Sequence, residues 1–107
     1  MPYIIVTMWC PGDKAPEMAQ RHLEIMEKYP PDENLENIVV PSATKSIEQG
    51  FKVISIFEPK EGKLEEAYIK AVSAMLMYRS IPGFEYRMDI YLTRTEAFSA
   101  IGMSSPE

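Results

Sequence analysis

FEYRMDIYLT, residues 84–93, alternates without a break: Phe84, Tyr86, Met88, Ile90 and Leu92 fall on one side, Glu85, Arg87, Asp89 and Tyr91 on the other. Period two sustained over this length predicts a half-buried β-strand. Immediately before it, Pro82-Gly83 breaks a pattern of a different period. Over Lys63–Ile81 the apolar residues recur at helical spacing: Leu64, Ala67, Tyr68, Ala71, Met75 and Tyr78 form one stripe, and Ile69, Val72 and Leu76 a second. From Ala67 to Tyr78 only Lys70 and Ser73 are polar. A helix apolar over so much of its circumference is expected to be covered by more than its own sheet.

Working outward, FKVISIFE (Phe51–Glu58) reads as a strand apolar on both faces, closed by a charged turn at Pro59–Gly62, with Gly50 as the hairpin turn before it. Ile38–Val40 is short and apolar, and Pro41 marks it as an edge or bulged strand that Ala43–Glu48 extends. Met18, His22, Ile25, Met26 and Tyr29 set a helix that ends at Pro30-Pro31, with Asp13 expected as its cap and Pro16 in its first turn. PDENLEN is a polar connection. Tyr3–Cys10 is a strand stopped by Pro11-Gly12. Tyr3, Ile5, Thr7 and Trp9 point one way and Ile4, Val6, Met8 and Cys10 the other, so both its faces need cover. After the last strand, Thr93–Glu96 fits a capping box for a short helix anchored by Phe98 and Ile101 and ended by Gly102, with Met103–Glu107 frayed.

One domain over residues 1–107 is all this length accommodates. A chain this short buries roughly two-thirds of its unfolded surface, so association would help it. The net charge of −5 disfavours nucleic acid and anionic membrane as partners. A single cysteine, Cys10, forms no internal disulfide and points to a reducing, cytoplasmic setting. The apolar start MPYIIVTMWCPG has no basic region or cleavage site and is too short to span a bilayer. The eight methionines suit adaptable packing in a core or at a subunit contact.

The order strand, helix, strand, strand, helix, strand is the ferredoxin-like βαββαβ arrangement: an α+β fold with a four-stranded antiparallel sheet and two helices on one face. The other face would be bare, yet the first and third strands are apolar on both sides. Burying about 400 Å² of apolar surface contributes on the order of 10 kcal/mol before association costs, so a second copy packed sheet against sheet is expected. GFKVISIFEP (50–59) and IPGFEYRMDIYLTRTEAF (81–98), with the element order over Tyr3–Ile101, resemble the dimeric α+β barrel superfamily. Its members include small cofactor-free monooxygenases, muconolactone-isomerase-like enzymes and stress-response domains. The second passage is also similar to small archaeal and bacterial proteins of this shape. The resemblance implies a homodimer or higher oligomer that holds ligands between helices and sheet or inside the barrel. Neither passage is a catalytic signature, and no catalytic residue is carried over.

The candidate chemistry is sparse. His22, the only histidine, shares a stripe with Met18, Ile25 and Met26, and is the candidate general base or a packed core histidine. Trp9, Tyr78 and Arg87 are candidate substrate-binding residues, Trp9 as wall and the other two as polar anchors; Tyr3, Tyr68 and Tyr86 are further aromatics for such a pocket. Arg87, between Glu85 and Asp89, would be paired or hold an anion if buried, and trims an edge strand if exposed. Cys10 in WCPGDK has Asp13 where a redox pair needs its second thiol, and continues the face of Ile4, Val6 and Met8, which favours an inert cysteine. No dinucleotide, phosphate-loop, serine-hydrolase or zinc-protease pattern occurs, so no cofactor and no metal is expected. The expected function is a homo-oligomeric small-molecule-binding or interaction module. The alternative is a cofactor-independent enzyme of the monooxygenase or isomerase type.

Overall fold

The computed structural model describes residues 1–106. The chain runs β1 (Tyr3–Pro11), a 3-10 turn (Gly12–Lys14), α1 (Ala15–Lys28), β2 (Glu36–Ile47), β3 (Gly50–Pro59), α2 (Leu64–Leu76), β4 (Glu85–Tyr91) and α3 (Arg94–Ala100). The four strands form one antiparallel sheet in the order β2-β3-β1-β4, which with the βαββαβ succession is the ferredoxin-like α+β fold. Among the described residues no helix is long and apolar enough to cross a membrane.

The register assigns the faces. Ile4 lies opposite Phe57 and Ile90, Val6 opposite Ser55 and Met88, and Met8 opposite Val53 and Tyr86. Ile4, Val6 and Met8 share one buried cluster with Ile25 of α1 and Ala67 and Met75 of α2, so both helices cover this face. Tyr78 and Ile81, beyond the end of α2, complete the cluster with Leu35. Alternation then places Tyr3, Ile5, Thr7 and Trp9 on the open face. There Ile56 sits between Ile5 and Val40, and Ile54 between Thr7 and Ala43.

Several boundaries differ from the sequence expectation. Asp13 lies within the 3-10 turn and caps nothing: the residue before α1 is Lys14, without a side-chain cap, because the chain leaves β1 through that turn. Helix α2 begins one residue later than expected and ends at Leu76, and Met77–Ser80 continue as turns. There the ladder tightens, the N–H groups of Met77, Tyr78 and Arg79 donating to carbonyls three residues back instead of four. The strand expected over 84–93 is regular only from Glu85 to Tyr91, where its pairing with β1 runs out.

Strand β2 starts two residues before the expected Ile38 and ends one before the expected Glu48. It absorbs Pro41 through register shifts at Ile38/Val40 and Val40/Ala43, with Ser42 in the left-handed region at φ 53°. Gly50 opens β3 rather than forming the turn. At φ 146°, a Cβ there would fall 2.1 Å from the Cys10 carbonyl oxygen, so only glycine fits where β3 closes on the end of β1. The Thr93 box is present: the Thr93 N–H donates to Glu96 Oε1 at 2.8 Å and the Glu96 N–H to Thr93 Oγ1 at 3.3 Å. Of the C-terminal tail expected to fray, Glu107 lies outside the described residues and residues 103–106 carry no helix or strand.

Candidate functional site

Bulged β2 leaves a hollow between the sheet and the two helices, of about 190 Å³. Its floor is Val6 and Met8 of β1, Ser55 and Phe57 of β3, and Ile38 of β2. Its walls are His22, Ile25 and Tyr29 of α1 facing Lys70, Ala74 and Met75 of α2, with Tyr78 beyond the end of that helix. Met26, Pro31, Pro41 and Ser42 line it too and are exposed, so the mouth lies at the β2 edge of the sheet.

Two polar pairs interrupt this apolar lining. The Tyr78 hydroxyl lies 3.4 Å from His22 Nδ1. Arg21, the residue before His22, donates to the Met77 carbonyl, one residue before Tyr78, and to Ser80 Oγ at 3.1 Å, while Glu24 pairs with it at 3.0 Å. This clamp ties α1 to the end of α2 and fixes His22 against Tyr78. Phe84 stacks on the Tyr78 ring at 4.9 Å, and Tyr78 is 2% exposed. Burial pushes its phenol up to about 12, against a smaller opposing pull from Arg21. The phenol therefore stays protonated at neutral pH. If it donates to Nδ1, the imidazole proton sits on Nε2; if it accepts from Nδ1–H, Nε2 holds the free lone pair.

The second pair is Glu36 and Lys70, 3.6 Å apart. Lys70 Nζ also donates to the Pro30 carbonyl at 2.9 Å, which anchors it at the turn after α1. Glu36 is 8% exposed. Burial raises its carboxyl above the ordinary range; Lys70 opposes that and Asp32 adds to it. Nearby, the Ser42 N–H donates to Ser55 Oγ at 3.2 Å, which holds the left-handed bulge against the cavity floor.

The sequence candidates divide between the two faces. His22 and Tyr78 meet at the hollow. Trp9 and Arg87 lie on the open face, in the rows of Lys52 and Glu85 and of Thr7 respectively, and so cannot wall or anchor a ligand held under the helices. Arg87 pairs with Asp89 at 2.9 Å, and its side chain is 64% exposed on the outermost strand. Of the other aromatics, Tyr68 and Phe84 pack against the core, and Tyr86 stacks on Phe84 at 5.9 Å. Cys10 is buried and its thiol donates to the Pro11 carbonyl at 3.2 Å; burial, then Asp13 and Glu17, push it up, away from thiolate chemistry.

Glu36, Lys70 and Arg21 were not candidates from sequence. Glu36 is hidden in a connection that reads as polar, and Arg21 among the charges of a solvated face. A signal for Lys70 existed: it is one of two polar residues in the apolar run of α2, and a cation there needs a partner. No group of three or more His, Cys, Asp or Glu side chains suited to a metal ion occurs among the described residues. No protein-family model, curated protein or solved structure matches the chain.

Proposed function

We propose that the protein is a cytoplasmic homodimeric α+β barrel that binds a small molecule under its helices. The hollow itself carries the binding reading: a mostly apolar space with a few convergent polar groups, open at one sheet edge, is the usual form of a small-molecule site. The dimer reading rests on the open face, where Ile5, Ile54, Ile56 and Trp9 form an apolar field on the two central strands. A second copy laid on that field removes it from water and leaves the helix-side hollow free in each subunit.

Two measurements test this. Sedimentation equilibrium should show a dimer at micromolar concentration, and Ile56→Lys should convert it to a folded monomer. A sharply folded monomer in the unaltered protein would end the barrel reading. For the site, native mass spectrometry of protein purified without added ligand, or a screen of small apolar molecules by thermal shift, should find an occupant. Filling the hollow by Ala74→Met should abolish the effect.

A second reading, a cofactor-independent enzyme, is favoured by one observation, the contact of His22 with a protonated phenol. With Nε2 free, His22 acts as general base and Tyr78 holds the ring in place. Incubation of an identified ligand with the protein decides between the two. Recovery of unchanged ligand supports a binding module; a product that disappears in His22→Gln, with affinity retained, supports the enzyme.

A further inference from the structure

The Glu36–Lys70 end of the hollow has a feature that the His22–Tyr78 end lacks. Among the described residues, the Glu36 carboxylate has one partner, the Lys70 ammonium, in a long contact at 3.6 Å. A carboxylate that is 8% exposed has unused acceptor capacity and pays a desolvation cost for it. Its residue lines the hollow, so the space beside it is where a donor would come from. Lys70 lines the same space and has three N–H groups, one of them given to the Pro30 carbonyl. The two neighbours together therefore offer an acceptor and a donor side by side.

Resting on the binding reading above, we propose that the ligand is an uncharged, hydroxyl-bearing molecule of about one ring, a phenol or cyclic alcohol, with its hydroxyl seated between Glu36 and Lys70. Size sets the first part. An apolar cavity of about 150 Å³ holds benzene, so a hollow of about 190 Å³ holds one ring with a small substituent. Charge sets the second. The pair sums to zero, so a ligand carboxylate meets Glu36 as a like charge, and a ligand ammonium competes with Lys70. A hydroxyl is the neutral group that donates to one and accepts from the other. Geometry sets the third. Lys70 lies within α2, six residues and about 9 Å of helical rise before its end at Leu76, and Tyr78 lies beyond that end, so a single ring engages one end only. His22 and Tyr78 share one hydrogen bond with each other, whereas Glu36 and Lys70 are the carboxylate and the ammonium on the lining, so the Glu36 end orients the ligand.

The test uses four probes of one shape, p-cresol, toluene, p-toluate and 4-methylbenzylamine, titrated into the full chain and followed by methyl NMR of Ala71, Ala74 and Met75. We expect p-cresol to bind about tenfold tighter than toluene, the increment of one hydrogen bond to a charged group, and tighter than either charged probe by at least as much. Glu36→Gln, which keeps volume and fold, should cut the preference for p-cresol over toluene to about threefold or less. Equal binding of toluene and p-cresol, or a best-binding charged probe, would overturn the ligand class and leave the cavity reading intact. If none of the four, toluene included, moves those methyl signals at millimolar concentration, the cavity reading itself falls.

Discussion

The two faces of β1 and β3 are both largely apolar in sequence and quite different in structure. On the helix side, Ile4 and Val6 are 0% and 1% exposed, packed in one cluster with residues of both helices, yet the same face leaves a hollow next to polar groups. On the open side, Ile5 and Ile56 stand in one row between Val40 and Asp89 and are only half-buried. One face is closed by the chain's own helices and keeps a space; on the other the two central strands present half-buried apolar side chains. The alternation of β1 therefore sends successive residues into two different environments.

Ile4 and Ile5 are the sharpest way to break that contrast. Ile4→Ala should cost about 3–4 kcal/mol in urea unfolding at every protein concentration, because the vacancy opens inside a packed cluster. Ile5→Ala should cost less, and if the open face pairs as proposed its cost should grow with protein concentration. A cost for Ile5→Ala that is the same in dilute and concentrated solution would show that the open face joins nothing.

Next in size is the polar end of the hollow. Lys70→Met leaves Glu36 buried without a cation and should cost roughly 1–3 kcal/mol at pH 7, below the value for a fully buried pair because Lys70 is partly exposed. The sign with pH follows from the raised carboxyl. The folded chain takes up the Glu36 proton before the unfolded chain does, so this group favours folding at low pH. That contribution disappears as pH rises from the ordinary carboxylate range through the raised value. The loss in Lys70→Met should therefore shrink on acidification. Glu36→Gln should remove this part of the pH slope; a Glu36→Gln variant with the original slope would show that the carboxyl is not raised.

Most of the architecture was legible because its signals are local. The period-two run at 84–93, the stripe of α2 and the Thr93–Glu96 box each depend on neighbours in sequence, and each element is present where its pattern lies. What escaped depends on distant partners. Leu35 reads as a stray apolar residue in PDENLEN, but it is 4% exposed, because its N–H donates to the Asp32 carbonyl and its own carbonyl accepts from the Lys60 N–H. Glu36, its neighbour, becomes a cavity residue only because Lys70 arrives from α2. Trp9 and Arg87 fall on the face opposite His22 and Tyr78 for a different reason: strand parity was available for each residue, but which face the helices take is a property of the whole sheet.

The smallest effect lies at the other end of the hollow. Tyr78→Phe removes one hydrogen bond beside a packed ring and should cost about 1 kcal/mol, with the Phe84 stack retained. Alkaline titration followed by tyrosinate absorbance sharpens the reading. Of the six tyrosines, one should ionise only at about 12, and Tyr78→Phe should delete that last step. Because the folded phenol is raised above its unfolded value, the stability it contributes is complete below the ordinary tyrosine range and is lost as pH climbs to about 12. The nitrogen shifts of His22 then separate the two roles of the pair. A proton on Nε2 with Nδ1 accepting from Tyr78 commits the imidazole to structure and favours a binding module. A proton on Nδ1 donated to Tyr78 frees Nε2 toward the hollow and keeps the enzyme reading alive.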